Sequence, residues 1–383
     1  MTRRVLFVGG VAAGVALLAS AGVATLSTLG NEEARISTSE LRRLPPIALV
    51  WADRDRAQGN ASGDLYVVRA DEAEPRRVLA WPARFVNGKP YGAYEARWAP
   101  DRRRIALELS VWTDDPSWQV AVVRADGRHL RKLVWPTWVS GDTAWSPMTG
   151  ELAHSHHGDL WAYVPVTGRS TRIWRAGRRS GDAEIGVIEV SPDGRRLLVA
   201  GAPFYGVLPG MVSMSFDGAD VVRLTYGDDT EPRWSPDGQR IAFVRGGNIH
   251  VVGADGRGLR RLTDVRGLRR GNRDIAAAAP AWSPDGRSLL FTRTRETYPD
   301  YLSDVYVVMA DGGDRARRLT RGGSSSASGW SPDGRKILFV RETWDEDRPQ
   351  RTWSELWIMD ADGGRETRLP FNRPHWSVIS VDW

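Results

Sequence analysis

From Trp234 to Thr263 the chain alternates short apolar runs with tight polar turns. Ile241-Ala242-Phe243-Val244 is apolar throughout, which predicts a strand covered on both faces. Leu259-Arg260-Arg261-Leu262-Thr263 alternates, as a half-exposed strand does. Ser235-Pro236-Asp237-Gly238 separates strand from strand. Pro presets φ for a type I turn, Asp suits the next position, and Gly accepts the left-handed one that closes the hairpin. Ala254-Asp255-Gly256 is a second such turn. The unit is a four-stranded antiparallel meander, strands a to d, with strand a ending at Trp234.

The phrase recurs along most of the chain. Strand a ends at Trp98, Trp145, Val190, Trp234, Trp282 and Trp330, at intervals of 47, 45, 44, 48 and 48 residues. That is the period of propeller blades. An earlier unit has b, c and d strands (Ile47–Trp51, Asp64–Arg69, Arg76–Leu79) but no strand a of its own. Ser377–Trp383 follows the last d strand and reads as a further strand a. Pairing it with the first unit predicts an all-β, seven-bladed propeller of four-stranded blades over residues 47–383, closed by the C-terminal strand. Closure protects the inner sheet edges, and Arg at the start of nearly every d strand blocks pairing at the outer ones.

The repeats resemble those of TolB-like, WD-type propellers. The matching residues are Ser191–Gly194, Ser235–Gly238, Ser283–Gly286 and Ser331–Gly334, with Ala125-Asp126-Gly127, Ala310-Asp311-Gly312 and Leu319-Thr320. Two turns depart from the pattern: Ala99-Pro100-Asp101-Arg102 has Arg in place of Gly, and Ser146-Pro147-Met148-Thr149-Gly150 has one extra residue. Such repeats also precede prolyl-oligopeptidase-type hydrolases, but no G-x-S-x-G elbow occurs in this sequence.

Arg3-Arg4 precedes an uncharged run from Val5 to Leu29. Residues 1–30 therefore read as a signal peptide or a membrane anchor, and residues 31–46 as a polar tether. Basic residues before the run and Glu32-Glu33 after it place the rest outside the cytoplasm, in a periplasm or at a cell surface. An uncleaved segment would make the membrane a partner. The chain contains no Cys, which excludes disulfides and thiolate metal sites. The net charge of +6 is carried by Arg scattered through the repeats, so edge protection explains it better than nucleic-acid binding.

Because Ser and Asp of the S-P-D-G turns recur blade after blade, they serve geometry rather than catalysis. The a–b and c–d turns are short and alike, whereas the b–c and d–a connections are long and individual. In a meander these two sets emerge on opposite faces. The individual face is the expected binding face, with Trp112, Trp118, Tyr298, Tyr301, Trp344 and Trp353 as anchor candidates for a protein, peptide or glycan. The b–c segments Thr292–Ser303 and Glu342–Trp353 are expected as long loops. A non-enzymatic scaffold without cofactor is the first reading. The second rests on His154, His156 and His157 near the end of a b strand, where imidazoles two residues apart share a face and suit a divalent metal. Some seven-bladed pectin-fragment lyases hold a metal through His, so a metal-dependent carbohydrate lyase or hydrolase is the alternative.

Overall fold

The computed structural model describes residues 35–53, 63–80, 91–111, 117–133, 143–156, 159–175, 185–201, 210–264, 273–297, 300–312, 316–322, 324–344 and 352–383. The leader-like segment 1–30 lies outside the described residues. Seven four-stranded antiparallel sheets follow one another along the chain. Blade 1 takes its strand a from the other end: Trp376–Asp382 pairs with strand b, Ile47–Asp53, setting Leu49 opposite Val381 and Trp51 opposite Val378. The ring therefore closes non-covalently, as the surplus strand predicts.

Each b strand packs apolar side chains on both faces. Ala48 and Val50 of blade 1 meet Ala96, Leu107 and Leu109 of blade 2, while Leu49 and Trp51 meet Leu338 and Ile358 of blade 7. The Trp residues that end the a strands lock neighbouring blades. The indole N–H of Trp145 donates to the Arg97 carbonyl of the preceding blade, that of Trp282 to Arg233, and that of Trp330 to Ala281. Side-chain acceptors add further stitches: the backbone N–H of Trp234 donates to Glu189 and that of Trp98 to Asp382, both at 2.7 Å. Burial pushes the carboxyls of Glu231 and Asp382 above the usual range.

The repeated turn residues have visible roles. In Ser191–Gly194, Ser283–Gly286 and Ser331–Gly334 the Ser hydroxyl donates to the Asp carboxylate at 2.6 Å. The same Asp accepts from the backbone N–H two residues on, and Gly194 sits at φ 68°. Arg102 also adopts positive φ, 54°, so that turn keeps its shape without Gly. Its guanidinium lies over the Trp98 ring and donates to the Trp383 carbonyl, tying blade 2 to the closing strand. Thr225, Thr263 and Thr320 follow two-residue d strands and accept from the backbone N–H of Met211, Ile249 and Val305. These hydroxyls continue the sheet edge where the d strand has ended.

Residues 36–44 behave differently from a free tether. A capping box, with Ser37 and Glu40 each bonded to the other's backbone N–H, starts a one-turn helix at Thr38–Leu41. Ile36, Leu41 and Leu44 are buried in the cluster that joins blades 7 and 1. The apolar spacing buried here is masked in the sequence by the polar residues around it. Glu40 bonds Lys336 and Arg365, and Arg365, Ser37 and Lys336 hold its carboxyl well below the usual range. Arg42 pairs with Asp71 on blade 1. The segment thus straddles the closure seam on the side of the a–b and c–d turns. Replacing Leu41 and Leu44 together by Ala should lower stability by about 4 kcal/mol or more, read from the urea midpoint. Glu40→Ala should matter less, because Lys336 and Arg365 both keep Asp360 as a partner. An unchanged midpoint for the double variant would mean the segment contributes nothing to the seam.

Candidate functional site

The face formed by the b–c connections is built differently from the expectation. Thr292–Thr297 and Asp300–Ser303 are paired strand rather than loop. Ser288–Thr297 pairs with Asp300–Met309 without a break, from Ser288 opposite Met309 to Thr297 opposite Asp300. Lys336–Trp344 pairs with Thr352–Asp360 in the same manner, out to Trp344 opposite Thr352. In Thr292-Arg293-Thr294-Arg295 the alternation is of polar with polar, so no apolar stripe marks the strand. The arginines have partners within the blade: Arg293 lies over the Tyr306 ring and Arg295 pairs at 3.3 Å with Asp304, which is wholly buried and also binds Arg318 and Thr320. Blades 2, 6 and 7 carry b and c strands of 8 to 10 residues, against 5 or 6 in blades 3 to 5, so their hairpins stand above the ring.

The aromatic candidates divide. Trp344 is 52% exposed at the last paired position of the blade 7 hairpin. Trp353 is half-buried, its ring tilted against His375 at 5.3 Å with its indole N–H directed at Glu355. Trp118 is half-buried edge-on against Tyr94 at 5.0 Å. Tyr301 occupies the blade 6 hairpin opposite Glu296. Trp112 and Tyr298 lie outside the described residues. Trp353 and Trp118 therefore brace the hairpins, and Trp344 is the candidate offered to solvent. Tyr226, 79% exposed with Arg223 over its ring, shares this face. Its position beside Asp228-Asp229 was its only mark in the sequence. Asp229 itself is buried in a bidentate bond with Arg245.

The histidines divide too. His154 takes the strand-b position that Phe243, Phe291 and Phe339 fill in blades 5, 6 and 7. It is 1% exposed, and among the described residues neither ring nitrogen has a partner within hydrogen-bond geometry. Burial lowers its pKa to about 4. His156 lies half-buried at the strand end opposite Asp159, and His157 is outside the described residues. Among the described residues no group of three or more His, Asp or Glu is placed to hold a metal ion.

This fold and face define a seven-bladed β-propeller of four-stranded antiparallel blades. A family model described as the dipeptidyl peptidase IV N-terminal region matches residues 216–301, from the c–d turn of blade 4 to the hairpin of blade 6. Among solved structures the chain is similar to a prolyl endopeptidase at 12% identity and TM-score 0.57, over 89% of this chain and 52% of that one. It is similar to a candidate 6-phosphogluconolactonase from Bacteroides fragilis at 11% and 0.56, over 88% and 97%. TolB from Acinetobacter baumannii aligns at 17% identity and 0.46, over 89% and 69%. At these identities the likeness concerns the fold alone. No curated protein matches the chain.

Proposed function

We propose that the chain is an extracytoplasmic, non-enzymatic binding scaffold whose b–c face docks a protein, peptide or glycan. The observation that carries the reading is the pair of adjacent long hairpins of blades 6 and 7, with Trp344 left exposed above a rigid ring. A scaffold of this kind positions connections without deforming, and an aromatic held on a paired strand is preorganised for an interface. The Arg3-Arg4 leader pattern supports export, with the membrane as a further partner where that segment is retained. Residues 36–44 lie on the opposite, a–b and c–d side, which leaves the hairpins pointing away from such an anchor.

Replacing Tyr301 and Trp344 by Ala should weaken binding of a partner recovered from envelope extract by tenfold or more, with thermal melting unchanged. Arg257→Ala and Arg335→Ala, in turns of the other face, should leave it unaltered. Equal loss from both pairs would count against this face as the site.

A further inference from the structure

The two a–b turns that depart from the repeat lie side by side, and the space between them is a groove. Pro100 of blade 2 and Pro147-Met148 of blade 3 form its walls, and Pro165-Val166 closes it. Pro165-Val166 stands where blades 2, 5, 6 and 7 carry Ala-Asp-Gly turns. The cavity measures about 370 Å³. Met148 is 70% exposed and Val166 87% exposed, and Leu130 is exposed nearby, where Arg131 donates to the Gly168 carbonyl. Ordinary turns of this protein present Asp and Gly to water. Among the described residues Met148 and Val166 are two of the three most exposed large apolar side chains, although the stem of Met148 lies against Gly194 of blade 4.

The surroundings are basic. The turns and d strand bordering the groove (residues 101–104, 124–132, 147–151 and 164–169) hold eight Arg or Lys against three carboxylates. Those carboxylates are engaged inside their own turns: Asp101 with Arg104, Asp126 with Arg124, and Glu151 with Thr149. Arg103 and Arg169 are exposed, and among the described residues their guanidinium groups have no carboxylate partner.

We infer that this groove between blades 2 and 3 is a second docking site, for a peptide segment of a partner protein that carries a large apolar side chain flanked by Asp or Glu. The apolar side chain enters between Met148 and Val166, and the acidic flanks meet Arg103 and Arg169. Concavity favours a peptide over a membrane, because a bilayer offers a flat surface and no side chain to fill the groove. The site lies on the face opposite the b–c hairpins and does not depend on their role.

Panning a random-peptide library on the full chain, then measuring synthetic copies of the enriched peptides by fluorescence anisotropy, tests this. Enriched sequences should place Leu, Ile, Phe or Met beside Asp or Glu. Met148→Asp or Val166→Asp should weaken them at least tenfold, Arg103→Glu with Arg169→Glu by a similar factor, and Trp344→Ala not at all. Should Met148→Asp fail to melt cooperatively, Val166→Asp, at the more exposed position, supplies the reading. Enrichment without that acidic–apolar signature, or affinity unchanged by the groove variants, overturns the proposal. So does groove-dependent binding to phosphatidylglycerol vesicles, or groove-dependent self-association on sedimentation, in place of peptide binding.

Discussion

A chain lacking Trp376–Asp382 is expected to lose cooperative folding. This strand supplies the whole of strand a in blade 1, so its removal bares one edge of Ile47–Asp53 along the six residues 48–53. Trp376, Val378 and Val381 also pack into the cluster shared with blade 7, where Trp376 lies 4.7 Å from the Trp51 ring. Half-burial of three such side chains is worth about 4 kcal/mol. The strand further accepts the backbone N–H of Trp98 at Asp382 and of Ala96 at Ser380, and donates from Val378 to Ser354. Domains are stable by only about 5–15 kcal/mol in total. An exposed inner edge is also a template for pairing between molecules. Size-exclusion chromatography and thermal melting of the truncated chain should show aggregation and no sharp transition. A melt like that of the intact chain would mean the ring does not depend on this strand.

His154→Phe should make the protein more stable, and more so as the pH falls. Burial depresses the pKa of His154 from 6.5 to about 4, so the unfolded chain takes up a proton before the folded one does. The sign follows: stability is full above the unfolded value, falls as the pH drops from about 6.5, and the loss is complete below about 4. At 1.36 kcal/mol per pH unit the penalty reaches roughly 3 kcal/mol. Phe removes the titrating group and reproduces the side chain that Phe243, Phe291 and Phe339 place at the same position. The raised carboxyls of Glu231 and Asp382 act in the opposite direction, since they are protonated more readily in the folded state. The comparison between His154→Phe and the parent chain cancels their contribution. Urea unfolding at pH 7.5, 6, 5 and 4 (chosen settings about the two pKa values) should give midpoints that diverge on the acid side. Parallel curves would show that His154 is solvated, and would reopen its candidacy as a metal ligand.

Much of the architecture was legible because it is repeated. A three-residue turn with Pro, Asp and Gly has one comfortable geometry, and seven copies of the strand pattern leave few arrangements open. The tight turns, the apolar b strands and the closing partnership all follow from local chemistry of this kind. The hairpins of blades 6 and 7 were harder to read, since Thr-Arg alternation carries no apolar stripe and its arginines find partners only after Asp304 and Tyr306 are folded beneath them. Residues 36–44 were illegible for a related reason. Three apolar side chains among polar ones have no meaning until the seam between blades 7 and 1 exists to receive them.

Individual residues were decided by tertiary structure alone. His154 and His156 share a strand face as their spacing requires, yet His154 is buried between blades at a position Phe fills elsewhere. Trp118, Trp344 and Trp353 look alike in the sequence. In the folded chain two of them brace hairpins and one is left in water. The irregular turns at Pro100 and Met148 belong to consecutive blades and so were neighbours from the sequence, but the groove between them exists only in the folded chain. Sequence by itself determined the blade, its number and its closure, because those depend on backbone preferences and on burial patterns within each repeat. Which side chains face a partner depends on contacts between blades, and those form only when the ring is complete.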